Sequence, residues 1–478
     1  MPISAGFLLA CLLLPAPPFV GGVDGPLARP ELKGARVALC VVDVDSGQRL
    51  FARNADEPMA PASNLKLVTT AAAIGLLGPD YQFSTRLLTT EERDAEGVLH
   101  GDLVVVGGGD PCLRADLLAP EKVSDPGALL ADLVAAAGVK RVDGKLVLDD
   151  GLMDHEWLNP DWNAGDIDAD YAAPIGALSL HKNCLALLVD GSEGPAVATA
   201  FAAPGYTLRN ELKRADVSNA TAVSALRPDS QSLVRVRGEV GRSVSRLQVA
   251  VPVRDPTELF GRCLLGALQK REIPVSGGLS MAPGCAAALD DSHLLTSLQT
   301  PLQNAVLIAN KESDNSISDH LFKLVGTLGG GPGSFASGAQ AVLGFLSAQV
   351  GTSVEGVVLR DGSGLSSRNR VTARLIADTL VHMWKAPAPA RDLYLRSLPV
   401  AGIDGSLAER LEDAPYRGAV RAKTGYIRGV STLSGYARTT GGRTLAFSIL
   451  INDFGPQFSN RQMKAIEDDV CRALVDLR

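Results

Sequence analysis

The first regular pattern begins at Arg36, where Val-Ala-Leu-Cys-Val-Val-Asp-Val leads into Asp45-Ser46-Gly47 and is followed by Leu50-Phe51-Ala52. Apolar, β-type residues on both sides of an Asp-Ser-Gly turn predict a β-hairpin. Over residues 61–74, Leu65, Val68 and Ala72 recur at helical spacing behind a proline and a serine suited to a helix start, which predicts a helix opening at Ser63. At the far end, residues 430–438 and 444–452 are strand-type runs joined by Thr-Thr-Gly-Gly-Arg, a second hairpin, and residues 460–477 read as an amphipathic helix. Hairpins and helices at both ends of the chain predict one antiparallel sheet built from the terminal strands and flanked by helices.

Between residues 89 and 290 the texture changes. Short strand candidates at 102–106, 145–148, 185–189 and 233–240 are separated by Gly, Pro and Asp, with helical stretches near 127–137 and 257–270. We read this as an inserted β-rich region of one or two subdomains. It interrupts an α/β domain made of residues 31–88 and 291–478. Residues 1–30 read as an export signal and linker, because a short apolar block gives way to prolines at 15, 17 and 18 that a buried helix would not tolerate. No other stretch approaches the ~18 apolar residues of a membrane span, so no stable span is expected.

With 478 residues and 46% hydrophobic content the chain can bury two or three cores. A net charge of -7 argues against a nucleic-acid partner, which would need a basic surface. None of the seven cysteines stands in a CxxC pair, and the six histidines show no ligand spacing, so no metal and no cofactor is expected.

Three short motifs carry candidate chemistry: Ser63-Asn64-Leu65-Lys66, Ser313-Asp314-Asn315 and Lys423-Thr424-Gly425. Each alone fits an ordinary role, as a helix cap or a polar strand end with a turn glycine. Chance copies occur at Ser179-Leu180-His181-Lys182 and Ser367-Arg368-Asn369. Context separates them. Ser63 sits at a helix start, where the dipole favours negative charge, and Lys66 three residues on shares its face; a lysine shielded from water can take the hydroxyl proton. Ser313 offers a second hydroxyl to relay a proton, and the Asn315 amide can hold the lysine and a substrate carbonyl. On a strand beside a cleft, Lys423 and Thr424 can meet a carboxylate, while Gly425 lets a substrate backbone approach. Gly107-Gly108-Gly109-Asp110 lacks the Gly-Lys-Ser/Thr ending of a phosphate loop and reads as a turn.

The order and flanks of these motifs resemble the penicilloyl-serine transferases, and more narrowly the class C low-molecular-mass penicillin-binding proteins, the D-alanyl-D-alanine carboxypeptidase/endopeptidase family. The likeness also runs through Gly107-Gly-Gly-Asp-Pro111, Tyr171-Ala-Ala-Pro-Ile-Gly-Ala-Leu-Ser-Leu180, Asp361-Gly-Ser-Gly-Leu-Ser366 and Arg421-Ala-Lys-Thr-Gly425, and the long interval between Ser63 and Ser313 is similar. The resemblance implies a transpeptidase/β-lactamase-like domain that acts on peptidoglycan stem peptides in the periplasm or cell envelope, with β-lactam antibiotics as inhibitors. It implies Ser63 as the acylated nucleophile, Lys66 as its base, and Ser313 with Asn315 in the proton network. Lys423 and Thr424 would bind the terminal carboxylate, and the backbone N–H groups of Ser63 and Tyr426 would form the oxyanion hole. Two positions depart from the family pattern: Tyr426 stands where Thr or Ser usually follows the Lys-Thr-Gly, and Asp319-His320 where Ala-Glu is usual, the latter expected to act at one remove from the chemistry. A β-lactamase or esterase on the same scaffold, and a cell-wall binding protein without turnover, are the competing readings.

Overall fold

The computed structural model describes residues 22–114, 125–201, 203–226 and 232–478. The expected export segment falls largely on residues 1–21, outside the described residues. The linker expected up to residue 30 is different. Val23 and Leu27, around the short helix Asp24–Leu27, are buried against the C-terminal helix, because two apolar side chains there have an apolar stripe to cover.

The central sheet contains β1 (Arg36–Asp43), β2 (Arg49–Arg53), β3 (Val420–Ile427), β4 (Val430–Arg438) and β5 (Thr444–Asn452). Its order is β3-β4-β5-β1-β2, and every pairing is antiparallel. The near-continuous apolar run of β1 follows from burial on both faces. Val37, Leu39 and Val41 enter one core, where they meet Met463, Ile466, Val470 and Leu474 of α6 (Asn460–Val475). Ala38, Cys40 and Val42 enter the other, under a layer of helices.

That layer includes α1 (Leu65–Leu77), α2 (Leu302–Lys311), α3 (Asn315–Gly326), α4 (Ala373–Lys385) and α5 (Ala388–Ser397). Helix α1 is buried nearly all round, so it behaves as a core helix. Asn310 on α2 ties it to its neighbours by donating to Thr70 Oγ1 at 3.1 Å and to Ser397 Oγ at 2.8 Å.

The inserted region carries its own sheets and its own core. A five-stranded sheet runs Leu279–Met281, Leu146–Asp149, Leu103–Val106, Gln82–Thr89, Leu294–Pro301. Two three-stranded sheets hold Thr207–Arg214, Leu233–Val240 and Thr221–Leu226, and Leu247–Pro252, Cys184–Asp190 and Ala196–Thr199. The boundaries drawn from sequence at 89 and 290 therefore shift outward. Strands Gln82–Thr89 and Leu294–Pro301 pair with each other, and the first of them also with Leu103–Val106, so both belong to the inserted sheet. Their backbone donors and acceptors are satisfied there and not in the central sheet.

Phe447 of β5 lies opposite Val41 and Gly435 and is fully buried on the α6 face. Phe447→Ala should destabilise the fold by about 3–5 kcal/mol. In guanidinium titration this reads as a lower midpoint with an unchanged slope.

Candidate active site

Ser63 lies in a single 3-10 turn, Ala62–Asn64, that feeds α1. The turn is clamped to the central sheet. Asn64 Nδ2 donates to Lys423 O at 2.8 Å, and Thr432 Oγ1 donates to Pro61 O at 2.9 Å. Ala62 is held at φ +45°, a left-handed conformation that costs a non-glycine residue about 1–3 kcal/mol and persists because its surroundings enforce it. Gly425 is required here: a Cβ on it would stand 2.9 Å from Ser63 N and 2.2 Å from Thr432 Oγ1. Strand β3 thus comes up against the backbone of the serine.

Lys66 is fully buried, and its Nζ has three neighbours from distant segments: Ser63 Oγ at 3.0 Å, Asn315 Oδ1 at 2.7 Å and the carbonyl of Ser363 at 2.6 Å. Two of these can only accept. A neutral amine that gives its two hydrogens to Asn315 and Ser363 keeps a lone pair facing the Ser63 hydroxyl. Burial pulls the Lys66 pKa down to about 8, against the opposing pull of Asp319, Asp361 and Asp314.

Ser313 sits between α2 and α3 at φ +62°. Asp314 caps α3 by accepting from Ile317 N at 3.0 Å, and its other oxygen accepts from Arg114 at 2.8 Å with Lys182 Nζ at 3.2 Å. Burial would raise this carboxyl, but Lys182 and Arg114 outweigh it and hold it below its ordinary range. Asn315 donates through Nδ2 to Tyr171 O at 3.0 Å, which fixes the amide with its oxygen toward Lys66.

Lys423 is placed differently from the expectation that its ammonium meets a carboxylate. It is fully enclosed, and Nζ donates to Ser313 Oγ at 2.8 Å and Thr424 O at 2.9 Å. Burial, reinforced by Lys66, pushes its pKa well down, so it reaches the cleft through the Ser313 hydroxyl. Thr424 Oγ1 donates to Ser406 Oγ at 2.8 Å. Ala422 N donates away from β4 to Pro399 O at 3.0 Å, so by the two-residue period of a strand the N–H of Tyr426 also projects from this outer edge. The Tyr426 side chain is half exposed at the mouth. Ser63, Ser313, Thr424, Gly425 and Tyr426 all line one cavity of about 180 Å³, whose far wall carries Arg410, Lys464 and Glu467.

Asp319 and His320, named above as a departure from the family pattern, and Asp361 support these groups without standing in any of the three motifs. Asp319 accepts through Oδ1 from Gly362 N at 2.7 Å and Ser363 N at 2.9 Å, which aims the Ser363 carbonyl at Lys66. Its carboxyl is raised well above the ordinary value by burial and by Asp361. Asp361 in turn accepts from Gly364 N at 2.8 Å, Ser366 N at 2.6 Å and Trp162 Nε1 at 2.9 Å. The density of Gly and Ser around Asp361 was the available signal. His320 is buried; burial lowers its pKa to about 4, and Nδ1 is 2.7 Å from Ser316 O. Arg410 bridges Asp468 at 2.9 Å and Glu467 at 3.0 Å. The chance motif copies have structural roles. Lys182 pairs with Asp314, and Asn369 donates to Asp361 Oδ1 at 2.8 Å. Asp110 of the glycine turn accepts from Cys112 N at 2.7 Å and from Thr300 Oγ1.

The family model described as D-Ala-D-Ala carboxypeptidase 3 (S13) matches residues 20–473. The D-alanyl-D-alanine carboxypeptidase of Actinomadura sp. (strain R39) is 34% identical over 445 residues, 90% of this chain and 80% of the relative. The crystal structure of penicillin binding protein 4 from Haemophilus influenzae matches with a TM-score of 0.79 at 24% identity, covering 95% of this chain and 98% of that one. The same protein complexed with a β-lactam matches with a TM-score of 0.76 at 24% identity, covering 95% and 100%. The central sheet between α6 and the helical layer is accordingly the fold of the penicillin-binding proteins. Matched over nearly its whole length, the chain belongs to the D-Ala-D-Ala carboxypeptidase 3 (S13) family.

Proposed function

We propose that the chain is a serine-type carboxypeptidase that releases D-alanine from D-alanyl-D-alanine stem peptides through an acyl-enzyme on Ser63. The observation that carries this reading is the fully buried Lys66 Nζ at 3.0 Å from Ser63 Oγ, with its other two neighbours both acceptors. Neutral Lys66 takes the hydroxyl proton as Ser63 Oγ attacks the penultimate carbonyl carbon. The N–H groups of Ser63 and Tyr426 face the developing oxyanion, where preorganised donors act most strongly. As the C–N bond breaks, the proton that Lys66 took from Ser63 passes through the Ser313 hydroxyl, which Lys423 holds in place, to the leaving amine of D-alanine, so that Lys66 is neutral again. Water, deprotonated by Lys66, then attacks the ester carbonyl, and Lys66 returns the proton to Ser63 Oγ as the acyl–oxygen bond breaks.

The terminal carboxylate is assigned to the cavity beyond Ser63. There the Thr424 hydroxyl and Lys464 favour an anion, while Arg410 is already held by Glu467 and Asp468. Tyr426 supplies a bulky ring in place of a short hydroxyl, so recognition rests on Thr424. β-Lactams are read as acylating the same serine, since they present a strained amide beside a carboxylate. A wall substrate also places the protein outside the cell membrane, and the apolar block near the N-terminus is the segment we assign to export.

Ser63→Ala should lower D-alanine release from a stem peptide by about three orders of magnitude or more and abolish the covalent penicillin adduct. Equal release by both proteins would remove the assignment. For Lys66, the second-order rate of acylation by a penicillin should climb with pH and level off above about 8, as the amine loses its proton. A rate independent of pH between about 6 and 9 would exclude this lysine as the base.

A further inference from the structure

The sheet face that carries Lys423 extends away from Ser63 along β3 and β4. Arg421 precedes Lys423 by two residues, so its side chain leaves β3 on the same face. Tyr436 of β4 lies directly opposite Arg421, and Arg438 follows Tyr436 by two residues on that face. The two arginines therefore hold diagonal positions on neighbouring strands, about 7–8 Å apart from backbone to backbone and within reach of one ligand. Arg396, in the last turn of α5, and Trp384 of α4 complete a hollow of about 490 Å³. It shares no lining residue with the cavity at Ser63.

The floor is fixed. Tyr436 donates its hydroxyl to Leu380 O at 2.6 Å, and its ring stands 5.5 Å from that of Trp384. The charge above that floor is predominantly positive. Among the described residues, Arg396, Arg421 and Arg438 make no ion pair. Arg396 donates only to Gln303 Oε1 and to the Asp392 carbonyl, both at 3.3 Å. The one carboxylate in the lining, Asp392, accepts from Arg391 at 3.0 Å. In a chain of net charge -7, three guanidinium groups against one carboxylate make this hollow a local concentration of positive charge that attracts an anion from outside.

We propose that this hollow binds a phosphoryl group. A carboxylate offers two oxygens to two guanidinium forks at most, whereas a phosphate monoester or a terminal phosphate presents three acceptor oxygens and close to two charges. The apolar face of Trp384 receives whatever the phosphate esterifies. The ligand class is a phosphate ester, either soluble or displayed as a lipid headgroup.

Inorganic pyrophosphate is the probe, titrated calorimetrically into the full chain, with citrate as the polycarboxylate control. One-to-one binding is expected. Arg421→Ala and Arg438→Ala should each weaken it about tenfold or more, the order of one lost bidentate charge-assisted contact. Because both side chains are exposed, the circular dichroism and the rate of penicillin acylation should stay at wild-type values. Arg421→Lys should lose part of the affinity, since it keeps the charge but not the fork. Co-sedimentation with phosphatidic acid vesicles, whose headgroup is a phosphate monoester, but not with phosphatidylcholine vesicles, that is lost in the alanine variants would identify a lipid headgroup as the source. Pyrophosphate binding without co-sedimentation would identify a soluble ester. Absence of both kinds of binding overturns the proposal, as does binding that survives both alanine substitutions, or citrate binding as tight as that of pyrophosphate.

Discussion

The structure around Ser63 depends on keeping one lysine dry and fully hydrogen-bonded. An ammonium taken out of water loses several kcal/mol of solvation, and only well-placed acceptors return it. For Lys66 those acceptors come from the first residue of α3 and from the turn at residues 361–366, and each is itself held by something further out. Tyr171 of the inserted region fixes Asn315, while Asp319 and Asp361 shape the turn that presents Ser363. The local geometry of the serine is thus a property of the whole assembly. Removing a distant anchor changes which way one carbonyl points.

A second lysine so close would normally be intolerable. Lys66 lowers the tendency of Lys423 to hold a proton, and both are cut off from water. The arrangement separates their outlets: Lys66 faces Ser63, and Lys423 faces Ser313. Two hydroxyls with different partners stand on one cavity, which suits a reaction that must remove a proton at one atom and supply one at another.

Much of this was legible because it is local. The two-sided burial of β1 shows as an unbroken apolar run, the start of α1 shows as a proline and serine before helical spacing, and the three motifs stand in order on suitable elements. What failed to show is what depends on partners far away in the chain. Gln82–Thr89 and Leu294–Pro301 look like any strands, and nothing in their own residues says which sheet they join. The direction taken by Lys423 is similar: the strand could be read, but the choice of Ser313 over the cavity is set by α2 and α3. Lys182 was dismissed as part of a chance motif, although it anchors the residue beside Ser313, because its contact with Asp314 is made only after the inserted region folds back.

The pairing of Gln82–Thr89 with Leu294–Pro301 has an architectural consequence. Leu302 N donates to Tyr81 O at 2.9 Å where this pair meets α2, so the excursion leaves and rejoins the catalytic body at a single antiparallel stem. Seen from the serine, the whole detour has the topology of a hairpin with an oversized tip. The tip is not a free appendage, however: Tyr171, Trp162 and Lys182 on the detour reach back to Asn315, Asp361 and Asp314, so a loop closed at one stem also buttresses the core from which it departs.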